Sequence, residues 1–359
     1  MMNGTLNSRT KFTLGALALL MSLGSVPAMA QQQQQRQQAA GQAMNALPPA
    51  LRAAVLSGNA DTISRVITTL SAGNPTQVAA LASAVISAGE GMLATNPQAA
   101  MSAAQAAVQA VSYAQVGQAA PQSVDTVVAT AARIFVSPQA QRNFPDAAVQ
   151  LANQTLTVAN GQNNPQLAAN VAVAAMTTAE GLAAINPAAA ANLASNALQA
   201  VSQPGVFQAN PQAASQAATI AGRIMANQGV MQAAPSVAAS MAVTAVQLVA
   251  NPAVYAVSPQ AAINVAAQAR QTVTNPTVAA ASPQAAQQVT QTLTQMSQSQ
   301  QLSALNPNNA AQLQAVLANQ NPDNGNGAIG SGSSLNNNPI PTGTNGGGGE
   351  DDRYQASPT

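Results

Sequence analysis

A proline recurs along this chain at almost constant spacing, and that rhythm limits the fold more than any other feature. The prolines are Pro75, Pro97, Pro121, Pro145, Pro165, Pro187, Pro211, Pro235, Pro259, Pro283 and Pro307. They are separated by 22, 24, 24, 20, 22, 24, 24, 24, 24 and 24 residues. A period of this size marks a repeat array, in which one small unit stacks on copies of itself. The clearest pair is PSVAASMAVTAVQLVANPAVYAVS from Pro235, followed directly by PQAAINVAAQARQTVTNPTVAAAS from Pro259.

The unit reads as helical. Proline is tolerated at the first helical position, where its missing N–H would be unpaired anyway. Asn74, Asn96, Asn164, Asn186, Asn210, Ser258, Ser282 and Asn306 precede it as expected N-caps. In the unit from Pro235, Ala238, Met241, Ala242, Ala245, Leu248 and Val249 share one helical face. A second proline then stands at position 18 of several units, at Pro138, Pro204, Pro252 and Pro276. It opens a shorter turn of helix, α or 3₁₀, anchored at position 20 by Val116, Val206, Val230, Val254, Val278 or Leu302. Each unit is therefore expected to hold one long helix, one short helix and two tight turns. The lining is mostly Ala, which contributes little transfer free energy per residue, about 0.8 kcal/mol per buried CH₂. Small side chains also let helices approach to about 8 Å. About eleven rows at that spacing predict a stack of roughly 90–110 Å.

Outside the array the texture changes. Arg9 and Lys11, the apolar run LGALALLMSLGSV and the A-x-A site at Ala28 and Ala30 predict a signal peptide over 1–30. A Gln-rich spacer over 31–46 follows. Residues 47–74 read as an N-terminal helical cap, with Asn59 or Asp61 as a cap residue and Ile63, Val66, Ile67 and Leu70 at 3–4 spacing. The array spans 75–321. From 322 to 359 Gly, Asn, Ser and Pro dominate, which predicts a disordered tail. It ends in a candidate terminal tag comprising Glu350, Asp351, Asp352, Arg353, Tyr354, Ser357, Pro358 and Thr359.

Composition excludes most chemistry. Charged residues make up 5% of the chain, against about 25% in ordinary domains. There is no Cys, His or Trp. Thiolate sites, the commonest general base and the commonest metal ligand are thus absent. Removal of Arg9 and Lys11 would leave eight cations against nine acids, a net charge of about −1. No basic footprint for nucleic acid is present, and no segment after the leader is apolar enough to span a membrane. Glu90, Asp125, Asp146 and Glu180 read as isolated, solvated carboxylates, so no acid–base pair is expected. The sequence predicts no enzyme activity, no cofactor and no metal site.

A longer period of ninety residues overlies the short one. Glu90-Gly91 aligns with Glu180-Gly181, and Ala132-Arg133-Ile134 with Gly222-Arg223-Ile224. Duplication of a four-unit block explains this. The functional reading takes Glu90, Glu180, Arg133 and Arg223 as candidate recurring surface points.

A 24-residue repeat with a long and a short helix, each opened by proline as at Asn251-Pro252 and Ser258-Pro259, resembles the leucine-rich-repeat variant. That resemblance implies a right-handed α-solenoid of the armadillo/HEAT kind. It covers about 75–321, rests on period and proline placement, and implies no site residues. The expected fold is all-α, with about eleven 22–24-residue repeats.

Function follows from surface chemistry. An exported, non-enzymatic scaffold of a bacterial envelope or matrix is expected, periplasmic, cell-surface or extracellular. It would bind polysaccharide, peptide or another copy of itself through polar faces. The alternative is a periplasmic adaptor for a secretion or envelope-assembly complex, docking through its tail.

Overall fold

A computed structural model describes residues 42–318, and all the regular structure among them is helical. The leader with Ala28 and Ala30, the Gln run, the tail and the whole terminal tag lie outside the described residues. The first helical segment, α1, covers 42–46. Its Ala43 and Met44 pack on the core, and Leu47 is buried beside them. The folded part therefore reaches into what the sequence reads as spacer.

Residues 47–74 form the two expected helices, α2 (Pro49–Ser57) and α3 (Ala60–Ser71). Asn59 is the α3 cap, accepting from the Thr62 N–H at 2.9 Å, while Asp61 sits in the first turn. The buried stripe of α3 runs through Ile63, Ile67 and Ser71. Leu70, expected on that stripe, is exposed.

The array follows as α4 (Pro75–Met92), α5 (Pro97–Val111), α6 (Ala114–Ala119), α7 (Pro121–Val136), α8 (Pro138–Asn143), α9 (Pro145–Gly161) and α10 (Pro165–Leu182). It continues with α11 (Pro187–Val201), α12 (Pro204–Ala209), α13 (Pro211–Met225), α14 (Gln228–Ala233), α15 (Pro235–Val249) and α16 (Pro252–Val257). The last members are α17 (Pro259–Thr274), α18 (Pro276–Ala281), α19 (Pro283–Gln298), α20 (Gln300–Leu305) and α21 (Asn309–Leu317).

Every expected unit proline from Pro75 to Pro283 opens a helix. Pro307 does not. It lies in a turn, and α21 begins at Asn309. There Asn306 turns its side chain to Tyr255 and Gln312 as well as to the Asn308 N–H. Seven of the eight expected caps accept a backbone N–H through their side chains, six at a helix start from Asn74 to Ser258 and Asn306 in the turn before α21. Ser282 makes no such bond.

Unit length encodes the connection. Most 24-residue units hold a helix of 15 or 16 residues and a six-residue α-helix, whose position-20 side chain is buried. The two 22-residue units run α4 and α10 on to 18 residues and turn without a short helix. The 20-residue unit of α9 does the same with 17. The expectation of a short helix in every unit is therefore corrected. Chain that stays in the long helix through Glu90-Gly91 or Glu180-Gly181 is not left over for a second one.

The long helices do not stack in single file. Each packs on the next and on the next but one. One row runs α4, α7, α10, α13, α17 and α21; the other runs α3, α5, α9, α11, α15 and α19. Successive units thus alternate between the two rows rather than following in single file. Burial follows. In α15 positions 4, 5, 7, 8, 11, 12, 14 and 15 are all buried, from Ala238 to Val249. Only positions 2, 6 and 13 are exposed, with positions 1, 3, 9 and 10 half-buried, so the wetted stripe is narrow. A helix touched on three sides needs apolar residues around most of its circumference, beyond the single face read from the sequence.

Alanine makes that packing possible, and one glycine makes it tighter. A Cβ at Gly89 would lie 3.1 Å from the Ala103 Cβ and 3.3 Å from the Ala100 carbonyl oxygen. Gly205, in contrast, faces open space. Gly89→Val is expected to cost about 1–3 kcal/mol through overpacking. Gly205→Ala should stabilise by about 0.4–1 kcal/mol. Urea unfolding midpoints of the two variants check both signs.

Candidate functional site

The four acids read as isolated are all engaged, which corrects that reading. Arg133 Nε donates to Glu90 Oε1 at 2.6 Å and Arg133 Nη2 to Glu90 Oε2 at 3.1 Å. Arg223 repeats the fork on Glu180 at 2.5 and 2.9 Å. The candidate surface points are thus two pairs, α4 to α7 and α10 to α13, and each partner occupies the other. Its hydrogen bond to Glu90 raises the Arg133 guanidinium above its ordinary value, against burial that lowers it. Glu180 does the same to Arg223. Their role is to fasten next-but-one helices, which repeats because the block repeats.

Asp125 and Asp146 are fastened by the caps. Asn164 accepts the Leu167 N–H with Oδ1 and donates from Nδ2 to Asp125 at 2.9 Å. Asn186 likewise accepts from Ala189 and donates to Asp146 at 3.2 Å. One asparagine therefore caps its own helix and ties it to the helix two before. Sequence reading found the caps but could not see their second bond, because the partner is about forty residues away.

A buried polar cluster holds the last helix. The Tyr255 hydroxyl, on α16, donates to Asn309 Oδ1 at 2.8 Å. Asn309 Nδ2 donates to the Met296 carbonyl at 2.8 Å. Both side chains are fully buried. Burial pushes the Tyr255 phenol above its ordinary value, against a hydrogen bond from Asn306 that lowers it. Nothing in this cluster can act on a ligand.

What remains for contact is the pair of wetted faces, and they differ. The row of α4, α7, α10 and α13 carries both ion pairs. The stripes of α5, α9, α11, α15 and α19 are mostly amide and hydroxyl at positions 2, 6, 9 and 13, with Asp146 the sole charge and Ala188 and Val243 the apolar members. Typical members are Gln98 and Gln109, Gln150 and Thr157, Asn192 and Gln199, Ser240 and Gln247, and Gln288 and Gln295. Over its first half this face is stitched across the grooves. Ser64 donates to Gln109 at 3.4 Å, Gln105 to Gln150 at 3.5 Å, and Asn196 to Asn153 at 2.9 Å.

Among the described residues no group of three or more His, Cys, Asp or Glu could hold a metal ion, and no helix is long and apolar enough to cross a membrane. A scan against protein families found no match, and searches of curated proteins and of solved structures found none either.

Two predictions follow from the fastenings. The ion pairs are substantially exposed, with Arg133 59% and Arg223 43% accessible in the side chain. Glu90→Gln and Glu180→Gln should each cost less than about 1 kcal/mol, and salt should shrink the difference from wild type. Tyr255→Phe leaves a buried amide oxygen short of a donor and should cost about 1–3 kcal/mol. The raised phenol also sets a pH dependence. The unfolded chain loses the proton first, so the contribution of Tyr255 is complete below about pH 10 and declines as pH rises through the folded value. Urea midpoints from neutral pH to above pH 10 should show this decline in wild type and a smaller one in Tyr255→Phe.

Proposed function

We propose that this chain is an exported, non-enzymatic scaffold whose helices form an α-solenoid. It binds a neutral, extended polymer through the uncharged face of α5, α9, α11, α15 and α19. The carrying observation is that face. Five successive helices present mostly amides and hydroxyls with Asp146 as their one charge, while Glu90, Arg133, Glu180 and Arg223 of the opposite row pair with each other.

The physical argument is one of matching. A face without charge gains little from a charged ligand, which would lose its hydration without compensation. Amides and hydroxyls both donate and accept, and a polyhydroxylated chain needs both. Individual contacts of this kind are weak, about 0.5–1.5 kcal/mol each net. A row of similar helices repeats them along one ligand, so the sum grows with ligand length. Polysaccharide meets these terms best.

The outer end of the array supports a scaffold of fixed length. No described helix packs outside α19 in its row. There positions 5, 8, 12 and 15 are Gln287, Thr290, Thr294 and Ser297, where α15 buries Ala239, Ala242, Val246 and Val249. A terminal unit with a wettable outer face closes a stack. End-on association of copies is disfavoured at that end.

Export rests on the n-region, the apolar run and the Ala28–Ala30 site, with the candidate terminal tag at the other end. Fractionation of producing cells tests it, with mass spectrometry of the purified chain. The expected result is protein in the periplasm, on the surface or in the medium, beginning at Gln31. Protein kept in the cytoplasm with residues 1–30 attached refutes export. A version ending at Gly349 should shift between these fractions if the tag is read, and the same distribution for both versions removes the tag from the proposal.

A further inference from the structure

The uncharged face is not uniform, and one place on it is open. Between α15 and the start of α19 lies a hollow of about 420 Å³. That is within the usual range for a small-molecule site, about 300–1,000 Å³. Its floor is apolar, from Ala239, Val243, Pro283 and Ala285. Its rim carries Ser236, Ser240, Thr244, Ser282, Gln284 and Gln288. No charged residue lines it.

Of the rim side chains, Ser236, Ser240, Ser282, Gln284 and Gln288 make no described hydrogen bond. In the α3–α5, α5–α9 and α9–α11 grooves of the same row, polar side chains bond across to each other. No described side-chain bond spans from α15 to α19. Ser282 stands where a cap is expected, yet its hydroxyl does not bond the α19 N-terminus. Thr244 returns its hydroxyl hydrogen to the Ser240 carbonyl, 3.0 Å away, and its oxygen keeps acceptor capacity. The comparable hollow of the opposite row, beside α10 and α13, is smaller, about 300 Å³, and Asn210 donates across it to Asn170.

We propose that this hollow is the principal subsite for one sugar unit of a neutral polysaccharide. The proposal rests on the reading of the uncharged face as a polymer-binding surface and names its anchor. A sugar ring has an apolar C–H face and a rim of hydroxyls that donate and accept, and the hollow offers the complement of both. No aromatic ring stacks on the ligand here, so a single unit binds weakly and retention depends on the polymer.

Cosedimentation of the full chain with cellulose, chitin and insoluble β-glucan tests the proposal, with circular dichroism as the check on folding. Three variants are compared with wild type. Ser240→Leu fills the hollow. Gln284→Ala with Gln288→Ala trims its rim. Asn170→Ala with Gln216→Ala alters the opposite row. Wild type is expected to sediment with at least one of the polymers. Loss of two net hydrogen bonds should weaken the rim variant about tenfold. Ser240→Leu should weaken binding at least as much, and the opposite-row variant should match wild type. Equal sedimentation of wild type and both hollow variants overturns the subsite while the face keeps its role. Failure of wild type to sediment with any of the three overturns the subsite and the polysaccharide reading together.

Discussion

Everything in this structure depends on how closely one helix can approach the next. Each long helix touches its sequence neighbours in the opposite row and its next-but-one neighbours in its own. Three-sided contact leaves only a narrow stripe wet, at positions 2, 6 and 13 of α15. Larger side chains would hold the rows apart. Alanine at most contact positions, with a glycine at Gly89, is the condition for such contact. The energetic cost is a thin apolar lining, since each alanine contributes little on burial. Stability then comes from many weak interfaces in series, as expected for a repeat array.

With so little apolar surface per residue, the array is registered by long-range polar bonds. Glu90 and Glu180 grip Arg133 and Arg223 two helices away, and Asn164 and Asn186 reach back from their caps to Asp125 and Asp146. Tyr255 and Asn309 do the same from inside. Exposed pairs of this sort add little free energy. Their geometry is nevertheless specific: a slip of one helix against its row neighbour would break them. Glu90, Arg133, Glu180, Arg223, Asp125 and Asp146 are therefore consumed in holding the fold. This leaves the other face with neutral groups, and that neutrality is the basis of the functional proposal.

Legibility varied with range. The unit prolines, the buried position-20 side chains from Val116 to Leu302 and most caps could be read directly, because each is set by local backbone chemistry. The absence of a short helix after α4, α9 and α10 was also encoded, in the units of 22 and 20 residues, although spacing alone did not reveal what was missing. Positions 5 and 12, such as Ala239 and Val246, were not assigned to the core, because a one-faced helical pattern overlooks a third neighbour. Ser282 met the rule for a cap and does not act as one. No local signal marks it, since Ser282 lines the hollow beside α15, which the sequence does not display.

The sequence by itself determined that the described chain is helical, where the unit helices start, and which chemistries are excluded by the lack of His and Cys. These follow from the backbone limits of proline and asparagine and from the side chains available. Only the tertiary structure decided that units alternate between two rows. That alternation pairs Glu90 with Arg133 rather than leaving both on the surface. It also separates a charge-bearing face from a neutral one. The reason is physical: row membership depends on the direction in which each turn sends the next helix, and on contacts about forty residues apart, which no single period can display.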